Sequence, residues 1–75
     1  MRFTDLRPGA RVRVTAVRDG EASVRLQELG LIVGTEVEVI RIAPLGDPIE
    51  ICLRGYRLCI RGQEANAFDL EPIGS

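Results

Sequence analysis

The sequence predicts an all-β fold, a small, strongly curved barrel of about five strands with one short α-helix. Three observations carry that expectation. The chain has 75 residues, room for one domain spanning 1–75, whose folding buries only about 60% of the unfolded chain's surface. Several short segments alternate apolar and polar residues with a period of two, the mark of half-buried strands. Glycine and proline, eight and four in number, divide the chain into pieces too short for long helices. Short strands left as an open sandwich would expose unpaired edges, and a small closed barrel hides them.

Each element follows in order. Leu6-Arg7-Pro8-Gly9 reads as a turn into RVRVTAVR, residues 11–18. There Val12, Val14 and Ala16 alternate with Arg11, Arg13 and Thr15. Asp19-Gly20 ends that strand. In EASVRLQELG, residues 21–30, Ala22, Leu26 and Leu29 recur at spacings of four and three. This is a short helix, with Asp19 or Ser23 to cap its front and Gly30 at its end. Leu31, Ile32 and Val33 run to a turn at Gly34. TEVEVIRIA, 35–43, is a second strand whose phase slips: Val37 and Val39 fall on one face, Ile40 and Ile42 on the other. Such a slip calls for a bulge or for burial on both faces.

In APLGDP, 43–48, Pro44 fits the second position and Gly46 the fourth of a type I turn. Asp47, before Pro48, is biased toward extended backbone. PIEICLRGYRLCI, 48–60, is a hairpin about Arg54-Gly55. That turn sets Leu53 against Tyr56, Ile51 against Leu58 and Ile49 against Ile60, all on one face. Glu50, Cys52, Arg57, Cys59 and Arg61 take the other, and a one-residue slip would scramble both. RGQEANAF, 61–68, forms a turn or one helical turn, FDLEP, 68–72, a last strand, and 73–75 a flexible tail. The sum is a small SH3-like barrel.

Charge and composition exclude several functions. The net charge is -1 and every one of the ten cations is an arginine. A nucleic-acid binder that neutralises phosphates carries a basic excess. The aromatics that would stack on bases are few: Phe3, Tyr56 and Phe68. No nucleic-acid partner is expected. No segment approaches the ~20 apolar residues of a membrane helix. The opening MRFTDLRPGARV lacks the apolar run of an export signal. A cytoplasmic chain without direct membrane insertion is expected, and two cysteines there are no disulfide framework.

Chemistry is equally sparse. With no histidine, a cysteine or serine lacks its usual base, and the carboxylates are scattered, so no catalytic residue and no enzyme activity are expected. No phosphate-cradling glycine motif is present. Glu50, Cys52 and Cys59 share a face and could hold a soft transition metal. Against that, C-x₆-C is not a zinc spacing, Arg57 and Arg61 share the face, and diagonal cysteines sit roughly 7–8 Å apart. No cofactor is therefore expected, and a metal-sensing or metal-delivering module on those three residues is the alternative. The arginines interleave with Glu36, Glu38 and Glu50, a pattern of cross-strand pairs. The loop 43–48 sets apolar Leu45 between two prolines beside Asp47. A rigid loop with an apolar tip loses little entropy on docking. Alternatively, Leu45 folds back over the open end of the barrel.

These residues carry a resemblance. RLQELGLIVGTEVEVIRIAPLGDPIEICLRGYRLCIRGQEA resembles the FeoA family, the small ferrous iron transport proteins A. The likeness rests on Arg25-Leu26 with Glu28-Leu29-Gly30-Leu31, on Gly34-Thr35, on APLGDP at 43–48, on Gly55-Tyr56 and on Arg61 with Glu64-Ala65. TDLRPGARVRV fits the family's start. Val33 stands where members often carry proline, which leaves the turn before Gly34 less pre-set. The resemblance implies an SH3-like domain that is a non-enzymatic accessory protein of ferrous iron uptake. It implies a protein–protein module acting on FeoB, the membrane ferrous iron transporter with a G-protein domain, at the inner face of the cell membrane. Weak self-association is a further expectation. The domain also resembles the C-terminal module of iron-dependent repressors, here without DNA-binding helices. The family surface it implies comprises Pro44, Leu45, Gly46, Asp47 and Pro48, with Arg25, Leu26, Leu29 and Gly30 at the helix end. Of these, Gly30 is expected as a cap, Leu26 and Leu29 as core, and Leu45 and Asp47 as contact residues.

Overall fold

The alternating segments pair into one antiparallel sheet in the computed structural model, which describes residues 1–18 and 20–74. Asp19, Ser75 and the side chain of Ala22 lie outside the described residues. The strands are β1 (Arg11–Val17), β2 (Glu36–Ile42), β3 (Ile49–Leu53), β4 (Tyr56–Ile60) and β5 (Phe68–Pro72), in the order β4-β3-β2-β1-β5. Two helices, α1 (Glu21–Glu28) and α2 (Gly62–Ala65), and a 3₁₀ turn at Phe3–Asp5 complete the fold. α2 supplies the single helical turn foreseen within 61–68.

The β3–β4 register is the one the alternation demands: Ile49 pairs with Ile60, Ile51 with Leu58 and Leu53 with Tyr56. Arg54 and Gly55 both have positive φ, 51° and 83°, as a type I′ hairpin requires. Tyr56 departs from the expected apolar row, being 39% exposed. It opens an edge strand, and its hydroxyl reaches out toward Gly30.

The phase slip in β2 is a bulge. Val39 pairs with Ile51 and Arg41 with Glu50, so Ile40 is the extra residue and Ile42 regains the inner face opposite Ile49. β1 carries a second bulge at Thr15, between Val14–Leu70 and Ala16–Asp69. Bulges bend a strand and increase its twist. These two roll the sheet into a body of 27 × 27 × 23 Å. The ladder does not close, since β4 and β5 remain its edges, where a closed wall was expected. α2 connects those edges in sequence, and α1 packs on α2.

Inside lie Val12, Val14, Val37, Val39, Ile49, Ile51, Leu53, Ile60 and Leu70 from the strands, with Leu26 and Leu31 from the helical segment. Phe3 and Phe68 are fully buried and meet edge to face at 6.2 Å, a favoured aromatic geometry. They are core residues, not a base-stacking surface.

The ends of α1 differ from expectation at the front and match it at the back. Gly20 precedes the first turn without any side-chain cap. Ser23, expected as a cap, sits inside the helix and is buried. Its hydroxyl donates toward the carbonyls of Arg18 and Gly20, each at 3.1 Å. Asp19, the other cap candidate, lies outside the described residues. At the back, the Leu31 N–H donates to Leu26 O (2.9 Å) and the Gly30 N–H to Gln27 O (3.0 Å), the paired bonds of a Schellman ending. Leu26 and Leu31 make its buried apolar contact. Leu29, expected in the core, is 40% exposed because it is the capping residue, where the chain reverses and Leu31 takes the inner place. Thr35 secures the next turn, its hydroxyl donating to Gly30 O at 2.8 Å. At the far terminus, the Ile73 N–H donates to Arg11 O at 3.0 Å, so the first residue of the expected tail is tied to β1.

Gly30 is where glycine is required. Its φ is +105°, and an added Cβ would stand 3.3 Å from Cδ and Nε of Arg54. Gly30→Ala is expected to cost about 1–2 kcal/mol from the left-handed backbone alone, read as a lower urea midpoint with unchanged slope.

Candidate docking site

The loop between β2 and β3 is held at both ends. The Ala43 N–H donates to Pro48 O at 3.1 Å, and the Gly46 N–H to Ala43 O at 2.7 Å, closing the turn foreseen around Pro44 and Leu45. The Asp47–Pro48 peptide is cis. Asp47 reaches across to α2: its Oδ1 accepts the Gly62 N–H at 3.2 Å. Leu45 is 96% exposed. It therefore stands out from the barrel and does not fold back over its end.

Beside the loop, one carboxylate organises the two helices. Glu64 is buried, and its Oε1 accepts the Arg61 N–H at 3.0 Å. Arg25 of α1 donates from Nε to Oε2 (3.2 Å) and from Nη2 to Oε1 (3.1 Å) and Oε2 (3.0 Å). Both oxygens are thus satisfied, the condition for sinking a carboxylate into a protein at modest cost. An arginine fork matches that planar acceptor as a lysine ammonium would not.

Loop, helices and β4 enclose a groove of about 540 Å³, lined by Arg25, Asp47, Pro48, Cys59, Arg61 and Gln63, with Glu64 behind. Three residues predicted for the family surface, Arg25, Asp47 and Pro48, meet there, although 22 positions separate Arg25 from Asp47 (47 − 25). Pro44, Leu45 and Gly46 occupy the adjoining turn. Leu29 is not part of it. It lies at the other end of α1, next to Gly30, where Arg54 and Tyr56 approach. Gln63 escaped the sequence reading, Arg61 entered it as a polar-face residue beyond the hairpin as well as through family resemblance, and Glu64 entered only through the resemblance. The Arg61-x-x-Glu64 spacing is the signal that could have marked the pair, since a carboxylate three residues after a helix start can reach back to the main chain.

The proposed metal ligands do not converge. Among the described residues no three of His, Cys, Asp or Glu come together as a metal ion would need. Cys52 stands opposite Arg57 and Cys59 opposite Glu50, so the thiols are diagonal, and both are free. Glu50 is engaged: it accepts from Arg41 Nη2 at 2.8 Å and faces Arg57 Nη1 at 3.6 Å. The Arg41 hydrogen bond, more than the charges beside it, holds its carboxyl below the ordinary value. Two further arginines pair with carboxylates of neighbouring strands, Arg13 between Glu36 and Glu71, and Arg18 on Asp69. Among the described residues no helix is long and apolar enough to cross a membrane.

A five-stranded, bulge-curled sheet with a pinned apolar loop defines the class: a small SH3-like barrel domain. The chain belongs to the FeoA family, whose domain model matches residues 1–71. The FeoA protein of Chlorobium tepidum is 39% identical, with a TM-score of 0.87 over 99% of this chain and 71% of that one. The Stenotrophomonas maltophilia FeoA, described as an SH3 domain protein complexed with zinc, is 26% identical, with a TM-score of 0.81 over 95% of this chain and 89% of that one. A Porphyromonas gingivalis protein described as a fusion of Fe(2+) transport protein A with the Fe(2+) transporter FeoB is 29% identical over 76 residues. This chain matches over its whole length and spans 9% of that fusion.

Two outcomes follow. Glu64→Ala should unlink α1 from α2 and cost about 1.5–3 kcal/mol, as for hydrogen bonds to a charged group, measured by urea unfolding. Glu50 has a lowered carboxyl, so its contribution is complete above the unfolded value of 4.5 and is lost as pH falls through the folded one. Below pH 4.5 the urea midpoint of Glu50→Gln should accordingly fall less steeply than that of the wild type.

Proposed function

We propose that this domain is a non-enzymatic accessory module of ferrous iron uptake that docks on FeoB at the cytoplasmic face of the membrane. The observation that carries the reading is Leu45, an almost fully exposed leucine on a turn closed by its own hydrogen bonds and anchored to α2 through Asp47. An apolar side chain on such a support has already lost most of the entropy that docking would otherwise cost. The partner is suggested by the Porphyromonas gingivalis protein, described as joining the two components in one chain. A covalent tether raises the effective concentration of two domains that work in contact. The Stenotrophomonas maltophilia relative, described as a candidate activating factor of bacterial ferrous iron transport, supports an accessory role. The reading requires no bound metal and no catalytic group.

Leu45→Asp tests it. Burying a leucine is worth about 1.5–3 kcal/mol, so capture of solubilised FeoB should weaken by about tenfold or more while circular dichroism stays unchanged. Equal capture by a folded variant would move the contact away from the loop. No capture by the wild type would remove the partner.

A further inference from the structure

The groove behind the loop offers a second set of contacts, and its spare hydrogen-bonding groups indicate what fits. Glu64 has none to spare, since both oxygens are taken by Arg25 and the Arg61 N–H. Asp47 has spent one oxygen on Gly62. What remains is the exposed Arg61 guanidinium, which has no ion-pair partner among the described residues. To it are added the outward Nη1 of Arg25, the amide of Gln63 and the second oxygen of Asp47. Pro48 and Cys59 supply the less polar part of the wall.

From this complement we infer that the groove binds an acidic segment of a partner polypeptide. An Asp or Glu side chain of that segment sits on Arg61 and Arg25, with an apolar neighbour lying over Leu45. Charge complementarity carries the choice: with Glu64 neutralised by Arg25, the strongest unspent group is the Arg61 cation, which pairs best with a planar carboxylate. The groove also sets a carboxylate and a carboxamide where a bound main chain needs an acceptor for its N–H and a donor for its C=O. A free phosphate or a lipid headgroup would use the cation but offers no peptide N–H to the second Asp47 oxygen. A volume of about 540 Å³ suits several residues better than a single anion. The inference deepens the FeoB reading and rests on it, by naming the chemistry of the FeoB segment that this surface takes.

The test is amide NMR of the intact domain with synthetic peptides tiling the cytoplasmic segments of FeoB. Each acidic peptide is paired with its Gln/Asn isostere, and inorganic phosphate is a separate arm. The expected result is that an acidic peptide shifts the amides of Asp47, Arg61, Gly62 and Gln63, and that the isostere and the Arg61→Glu variant each weaken it by about tenfold or more. Shifts confined to other strands, equal binding of the isostere, no peptide binding, or phosphate shifting these amides as strongly as the peptide would each overturn the inference. Capture of intact FeoB separates the two claims. Equal capture by wild type and Arg61→Glu retires the groove and keeps the partner, whereas no capture at all retires both.

Discussion

The Glu64 carboxylate is the constraint on which the functional surface depends. A carboxylate taken out of water must be matched on both oxygens if its burial is to come at modest cost. Arg25 and the Arg61 N–H match it, and in doing so they fix α1 against α2. α2 has only four residues and could not persist as an isolated helix. Held there, it presents the Gly62 N–H to Asp47, and Asp47 in turn holds the loop that carries Leu45. One ion pair, its carboxylate buried and its arginine half-exposed, thus bears on where an exposed leucine stands two elements away.

The sheet supplies the platform. Two bulges, at Thr15 and Ile40, let five short strands curl around a core of small β-branched and leucine side chains. A chain this short buries little area per residue, so it gains from sealing the barrel's inside with Phe3 and Phe68, the largest of its fully buried side chains. The outer faces are laced by arginine–carboxylate pairs that are largely exposed. Such pairs contribute little stability each, and one of them engages Glu50, which stands opposite Cys59.

Local physics made the strands legible in the sequence. The hairpin register could be read to the residue because its alternation admits one pairing only, and the phase slip in β2 announced its bulge. The Schellman ending was visible in Gly30. Other features were not local. Phe3 is core because β5 brings Phe68 to it, which no pattern around residue 3 reveals. Leu29 matches the helical stripe and still faces outward, since the chain reverses there and Leu31 takes the inner place. Ser23 resembles a cap by type, but the helix begins before it. At the site, the turn was legible from APLGDP, as its chemistry is self-contained, but whether Leu45 stands out or folds back was not, because that depends on what the barrel end leaves uncovered. The groove was not, because Arg25, Asp47 and Arg61 are gathered only when α1 and α2 pack together.

The central claim is that the pinned loop and the adjoining groove form one docking surface for FeoB. Hydrogen–deuterium exchange of the domain, free and bound to detergent-solubilised FeoB, addresses it most directly because it reports every amide at once. The account predicts new protection at Leu45, Gly46 and Asp47 together with Arg61 to Glu64, and unchanged exchange along β1 and β5. Protection confined to β1, β5 or the Leu29–Tyr56 end of the molecule, with the loop exchanging as in the free domain, would contradict it.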